Sequence, residues 1–293
     1  MAFSDKLLGD RNGFACQAKP EPRRQEEVMR GKTSVCCLGL LVVMIQTAVA
    51  LANEATPKPS PDQVIRLLKE GNARFVAGKA VNPHRDAARV ALAAKEDQGK
   101  HAYATVLSCS DSRVPVEVLF DAGVMDIFVV RVAGNVVRTD EAGSIEYGMA
   151  HVNTPVLVVM GHTQCGAVNA VIAEMEGKGH ELERNIPPLV APIVPAVKRA
   201  RAAHPDAQGK DLGPLAVREN VWQAVGSLFM VSPAVRNLVK RNKATVVGAV
   251  YEMESGKVRF LPEDRVGKIL AKVEQSPKKA VNALFEKPSG SAR

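Results

Sequence analysis

The chain has 293 residues, of which 46% are hydrophobic and 24% are charged, enough for one globular domain with appendages. Its formal net charge of +8 is spread along the sequence, and aromatic residues make up only 4%. A nucleic-acid-binding protein would need concentrated basic residues and aromatic stacking surfaces, so we do not expect a nucleic acid as partner.

Residues 29–52 have the pattern of a secretory signal peptide. A basic start is followed by an apolar run over 35–49 and by a cleavage site of small residues. This pattern predicts a periplasmic or secreted product whose translation starts near Met29, with residues 1–28 as a non-native upstream extension and no stable membrane insertion after cleavage. An uncleaved anchor is the alternative, although the apolar run is shorter than the ~20 residues that a membrane-spanning helix needs.

Downstream of the leader, the sequence predicts one folded domain. A polar linker with prolines covers residues 53–60 and precedes a domain over 61–277. Ser60 and Gln63 form the pattern of a capping box, which predicts a helix over 61–77. The last segment, 278–293, is rich in lysine, proline and serine and is predicted to be a flexible tail.

Short apolar runs alternate with helical patterns through the domain. The predicted strands cover 103–107, 127–132 and 156–160, and the predicted helices cover 142–152, 167–175, 221–230 and 233–239. Such alternation predicts an α/β fold with a central, mainly parallel sheet flanked by helices. A C-terminal hairpin is predicted over 245–251 and 258–261.

Two further segments receive weaker interpretations. Residues 177–214 carry glycine, proline and charge around one amphipathic helix near 190–203, which indicates a surface excursion. Trp222 lies in a helical pattern with Val225 and Phe229, which favours a place in the core or in a subunit interface.

A candidate metal centre is formed by two short segments. Cys109 and Cys165 are the only cysteines after the predicted leader, and each has a second potential zinc ligand nearby, Asp111 and His162 respectively. A disulfide would explain neither neighbour. Since each segment follows a predicted parallel strand, both are expected at the carboxyl edge of the sheet, where α/β folds place their active sites.

The local geometry of the second segment can be predicted as well. If Thr163 opens the next helix, one helical turn brings His162 and Cys165 to a single ion. Gly161 and Gly166 flank this pair and would permit close backbone approach around the metal.

A ligand set of two cysteines and one histidine leaves the fourth tetrahedral position of zinc free, as in catalytic centres. Asp111 could fill this position and close the site, or it could bind Arg113 and leave the position to water. Alternatively, Cys109 could be a nucleophile activated by His162, but that reading leaves Cys165 unexplained.

At these residues the chain resembles the β-class carbonic anhydrases. The matching blocks are Cys-Ser-Asp-Ser-Arg-Val-Pro at 109–115, Phe-Val-Val-Arg-Val-Ala-Gly-Asn at 128–135 and Gly-His-Thr-Gln-Cys-Gly-Ala-Val at 161–168. Residues 71–75 resemble the family's opening helix and residues 247–251 its last core strand. The blocks occur in the family's order, which makes the resemblance specific.

The resemblance implies a single Zn²⁺ ion per chain, bound by Cys109, His162 and Cys165, with Asp111 and Arg113 as a gating and orienting dyad. It implies reversible hydration of carbon dioxide to bicarbonate and a proton, by attack of zinc hydroxide. It also implies a homodimer or a homotetramer.

The family has a resting form with aspartate on the metal and another with water there. The aspartate form is associated with an inhibitory bicarbonate site of tryptophan, arginine and tyrosine. Arg131 and Tyr251 match two of these residues, but Val106 stands in place of the tryptophan, which favours the water-bound form.

Two rival functions remain open from the sequence. An enzyme of the same fold could act on a sulfur analogue such as carbonyl sulfide or carbon disulfide. A non-catalytic zinc-binding module is the second rival, but it would not require Asp111 and Arg113, which are both present.

Overall fold

The computed structural model describes residues 58–276. The predicted segments 1–28, 29–52 and 278–293 lie outside the described residues, as do the first five residues of the predicted linker and the last residue of the predicted domain. Within the described part, no helix has the length and apolar character needed to cross a membrane.

The centre of the fold is a five-stranded sheet in the order β2-β1-β3-β4-β5. The strands are β1 (Ala104–Ser108), β2 (Ile127–Arg131), β3 (Val156–His162), β4 (Thr245–Glu252) and β5 (Lys257–Phe260). The first four are mutually parallel, and β5 pairs antiparallel with β4. The prediction of a mainly parallel sheet with a C-terminal hairpin is therefore confirmed.

Ten α-helices occur in the described residues. They are α1 (Pro61–Val76), α2 (Ala87–Ala93), α3 (Val116–Leu119), α4 (Thr139–Glu146), α5 (Gly166–Met175), α6 (Ile186–Val190), α7 (Val194–Ala203), α8 (Gly209–Val231), α9 (Pro233–Lys240) and α10 (Asp264–Glu274). The predicted capping box starts α1, because Ser60 and Gln63 each accept a hydrogen bond from the other's backbone N–H.

The two faces of the sheet carry separate hydrophobic clusters, because successive side chains of a strand point in opposite directions. Leu107 and Leu157 pack on one face with residues of α4, α8, α9 and α10, among them Trp222, which is 4% exposed. Val106 and Val158 pack on the other face with residues of α1 and α3. Trp222 is thus a core residue, as the sequence suggested.

In the predicted surface excursion over 177–214, the amphipathic helix expected near 190–203 is present as α7, but the segment around it packs into the core to a larger extent than predicted. Residues 186–203 form α6, a short 3₁₀ turn and α7, and residues of these elements such as Ile193 and Val197 are fully buried. They form a third hydrophobic cluster together with Cys109 and Cys165. Four of the prolines that suggested a loop lie in the first turns of helices, where a missing N–H costs nothing: Pro187, Pro188, Pro192 and Pro195.

Other element bounds differ from the predictions in length. Helix α4 ends at Glu146 and continues to His151 as a wider π-helical turn. Helix α8 begins at Gly209, 12 residues before the predicted start at residue 221, and has 23 residues in all. Helix α10 was not predicted, although its apolar residues Val266, Ile269, Leu270 and Val273 stand at helical spacing.

Candidate metal centre

The sheet brings the candidate metal ligands together. Cys109 directly follows β1 and His162 is the last residue of β3, and these two strands are parallel neighbours. Their carboxyl ends therefore meet at one edge of the sheet, as predicted. Cys165 is the N-cap residue of α5 at the same edge.

The turn between His162 and Cys165 differs from the prediction. Thr163 does not open a helix, since α5 begins only at Gly166. Thr163 instead extends the strand, with its N–H donating to Tyr251 O at 2.9 Å and its Oγ1 accepting from Met253 N at 3.0 Å. Gln164 then adopts a left-handed conformation, with φ of 57°, which turns the chain back toward the ligands.

Of the two glycines that flank the pair, Gly161 lies in close contact with another element of the described structure and Gly166 does not. A Cβ at Gly161 would lie 3.0 Å from side-chain carbons of both Val217 and Val221, so this glycine allows α8 to pack closely on β3. A Cβ at Gly166 would meet no atom within 4 Å.

The three residues fit a zinc ion. The ligand atoms of Cys109, His162 and Cys165 all lie within 4.8 Å of one another, and all three residues are buried. His162 Nδ1 donates to Thr163 O at 2.9 Å, which leaves Nε2 as the atom with a free lone pair. Nε2 is buried without a hydrogen-bond partner, as expected for an atom that binds a metal.

The two thiols are coupled electrostatically. A hydrogen bond from Cys165 lowers the pKa of the Cys109 thiol to about 4, with further contributions from His162 and from the N–H of Gly134. The same bond, together with burial, raises the pKa of Cys165. One of the two thiols, Cys109, therefore ionises readily, and a cation bound between the two sulfurs would favour the thiolate form of both.

Asp111 and Arg113 form the predicted dyad at the rim of the centre. Arg113 donates from Nε and Nη2 to the two carboxylate oxygens of Asp111 at 2.9 and 2.7 Å, and also to Gln164 O at 3.3 Å. Hydrogen bonds from the Arg113 side chain hold the pKa of Asp111 well below its usual range. Asp111 Oδ2 lies 3.9 Å from His162 Nε2, so an ionised carboxylate stands beside the ligand trio.

Arg131 has a structural role that sequence reasoning did not anticipate. From the end of β2 it donates to the backbone oxygens of Cys109 at 3.0 Å and of Asp111 at 2.6 Å. It thereby fixes the loop that carries one ligand and one member of the dyad. Val106 and Tyr251, the other two positions of the inhibitory pattern, lie in the hydrophobic cluster against α1.

The turn of Ala133–Asn135 was also missed as part of the centre. Its middle residue, Gly134, donates its N–H to Cys109 Sγ at 3.3 Å. Gly134 has φ of 73°, a left-handed conformation that favours glycine. A glycine shortly after a predicted strand is therefore the sequence signal that could have indicated this turn.

Known proteins share both the sequence blocks and the fold. The family model described as carbonic anhydrase matches residues 104–258. A carbonic anhydrase 2 of Mycobacterium tuberculosis is 35% identical over 217 residues, covering 73% of this chain and 98% of that protein. A carbonic anhydrase of Mycolicibacterium smegmatis is 34% identical over 204 residues, covering 70% of this chain and 95% of that protein.

Among solved structures, the β-carbonic anhydrase CafA of Aspergillus fumigatus superposes with a TM-score of 0.54 at 23% identity. The match covers 63% of this chain and 87% of CafA, and it supports the fold. The sheet, the buried Cys-His-Cys trio and these matches agree. The chain belongs to the carbonic anhydrase family, in its β class, and the predictions of a zinc enzyme with this activity are confirmed.

Proposed function

We propose that the centre hydrates carbon dioxide reversibly, using one Zn²⁺ ion held by Cys109, His162 and Cys165. The observation that supports this most strongly is the buried, unpartnered Nε2 of His162 beside two thiols. A zinc ion bound there would supply the Lewis acidity that makes water a nucleophile near neutral pH. The surrounding side chains then have to hold a hydrogen-bond acceptor that orients the reacting water.

Asp111 is the acceptor in this proposal. Its lowered pKa keeps it ionised in the working range, and Arg113 holds both of its oxygens. A carboxylate fixed in this way can accept a hydrogen bond from the reacting water and orient it toward carbon dioxide.

We further propose that Asp111 stays with Arg113 at rest and leaves the fourth metal position to water. The paired carboxylate supports this, as does Val106 in place of the tryptophan of the inhibitory bicarbonate site. X-ray absorption of the zinc-loaded protein at low and neutral pH tests the proposal. An additional carboxylate oxygen on zinc at low pH would overturn it.

The activity is tested by stopped-flow hydration of carbon dioxide with zinc quantified on the same sample. The protein used begins near residue 53, and Cys165→Ala is the comparison. Rapid hydration that depends on zinc and is lost in the variant supports the proposal. Full zinc content without hydration at any pH would contradict it, and assays with carbonyl sulfide and carbon disulfide would then test the rival substrates.

A homodimer through strand β2 is proposed as the assembly. Within the described residues β2 is an edge strand, and its residues Ile127, Phe128 and Val129 are only half-buried. Tyr147 lies next to this strand, 6.0 Å from Phe128 between ring centroids, and is 50% exposed. An unpaired, apolar edge is unfavourable in a monomer.

Sedimentation of the wild type and of Phe128→Lys tests this assembly. A dimer or tetramer that dissociates in the variant would support pairing through β2, with Leu67→Lys as control because Leu67 is exposed on the separate helix α1. A monomeric wild type at micromolar concentration would refute it.

Export is proposed from the sequence of residues 29–52, whose basic start and apolar run are typical of a signal peptide. N-terminal sequencing of the product recovered from the periplasm or the medium tests this proposal. A product that stays in the cytoplasm with its leader intact would contradict it.

A further inference from the structure

Asn220 is a buried polar residue that the centre described above does not use. It is 1% exposed and lies on the face of α8 that carries Val217, Val221 and Ala224, all buried apolar residues. A side-chain amide in such surroundings is unfavourable unless it is hydrogen-bonded. Its presence there calls for a specific partner.

The partner of Asn220 is the turn that contacts a metal ligand. Asn220 Nδ2 donates to Gly134 O at 2.7 Å, across 86 positions of sequence. The N–H of the same glycine donates to Cys109 Sγ at 3.3 Å. One residue therefore receives a hydrogen bond from α8 and donates another to the sulfur.

The turn has little freedom to form these contacts in another way. Gly134 has φ of 73°, and a Cβ there would lie 2.6 Å from Ile193 Cδ1 and 3.0 Å from Ala167 Cβ. Asn135 follows with φ of 43°, and its N–H donates to Val132 O at 3.0 Å. The hydrogen bond from Asn220 connects this turn to α8.

We propose that Asn220 is a positioning residue for the metal centre: its hydrogen bond to Gly134 O restricts rotation of the backbone at Gly134, so that the N–H of this residue, in the preceding peptide unit, stays bonded to the Cys109 sulfur. A hydrogen bond to a metal-bound thiolate withdraws charge from the sulfur and strengthens the Lewis acidity left to the metal. The inference rests on the proposed ligand role of Cys109, and α8 tunes the centre through this contact.

The test compares Asn220→Leu with the wild type. Leucine has nearly the shape of asparagine and suits the apolar face of α8, so the helix keeps its packing while the donor is lost. The matched control is Asn72→Leu, since Asn72 is also buried on a helix and bonds Leu119 O, Gly256 O and Val258 N on the opposite face of the sheet.

The readouts concern the metal and the turn, not the hydration rate. In Asn220→Leu we expect zinc to transfer to a chelator about 10- to 100-fold faster. The thiolate-to-metal charge-transfer band of the cobalt-substituted protein should move to longer wavelength, since the sulfur then carries more charge. The Gly134 amide should lose its protection from hydrogen exchange.

Asn72→Leu should leave all three quantities at their wild-type values. Equal changes in both variants would mean general loosening and would overturn the inference, as would unchanged values in Asn220→Leu. Since none of the readouts is catalytic, an inactive wild type with these shifts would contradict the proposed hydration activity and leave the role of Asn220 standing.

Discussion

Two buried polar clusters of this molecule differ in whether their polar atoms have hydrogen-bond partners. At the carboxyl edge of the sheet, the ligand atoms of Cys109, His162 and Cys165 lie within 4.8 Å of one another, and the buried Nε2 of His162 has no hydrogen-bond partner. In the loops around Asp121 and Asp126, each nearly inaccessible carboxylate receives several hydrogen bonds.

The acidic cluster holds loops together. Asp121 accepts from Arg74 at 2.6 Å and from the N–H groups of Val81 and Asn82 at 3.0 and 2.8 Å. Asp126 binds His84, Arg89 and the N–H of Gly123. A buried polar group with all its hydrogen bonds formed contributes to stability. A buried polar atom without a hydrogen-bond partner, next to other potential metal ligands, indicates a ligand site.

The largest effect is expected from His162→Ala, which removes the open atom itself. Zinc content should fall to near zero, and hydration should drop on the order of 10³-fold or more, because the Lewis acid is gone. Metal analysis and stopped-flow hydration measure this, with the exposed His204→Ala as control. An active variant without zinc would remove the basis of the comparison.

Asp111→Asn should separate metal binding from catalysis. The variant is expected to keep its zinc and to lose about 10²- to 10⁴-fold in kcat, because the neutral amide accepts a weaker hydrogen bond and cannot orient the reacting water in the same way. The exposed Asp206→Asn is the control. If zinc is lost together with activity, Asp111 is a ligand and not an acceptor.

Asp121→Ala should affect stability and leave the metal in place. We expect a loss of about 2–3 kcal/mol in the free energy of unfolding at neutral pH, since charged hydrogen bonds are removed while Arg74 can be rehydrated. Urea unfolding measures this, and zinc content serves as control. A variant that loses zinc but not stability would reverse the roles assigned to the two clusters.

The stability difference between the wild type and Asp121→Ala should depend on pH. Burial alone would raise the pKa of Asp121, but hydrogen bonds from Arg74, Val81 and Asn82 lower it overall. A carboxyl whose pKa is lowered by folding contributes fully above its unfolded value and loses that contribution as the pH falls through its folded value. The stability difference between wild type and Asp121→Ala should therefore shrink with decreasing pH below about 4.

The smallest effect is expected from His84→Ala. The His84 side chain is 52% exposed, and Asp126 keeps Arg89 and the N–H of Gly123 as partners. A loss of no more than about 1 kcal/mol is expected from thermal or urea unfolding. A larger loss would mean that the acidic cluster has no redundancy among its bonds.

Much of the site could be predicted from the sequence, because its residues stand in short segments beside recognisable strands. Cys109 and Asp111 follow one apolar run and His162 ends another, so their shared edge follows from parallel pairing. The turn after His162 could not be predicted, since a left-handed Gln164 depends on contacts with the C-terminal hairpin that are distant in sequence.

The sequence by itself determined the class of fold and the candidate ligands, because strand periodicity and ligand spacing are local properties of the chain. The tertiary structure decided which buried polar groups are satisfied. It joined Asn220 to Gly134 and placed α6 and α7 against the two cysteines. Such contacts depend on how distant segments pack, and local patterns carry little information about that packing.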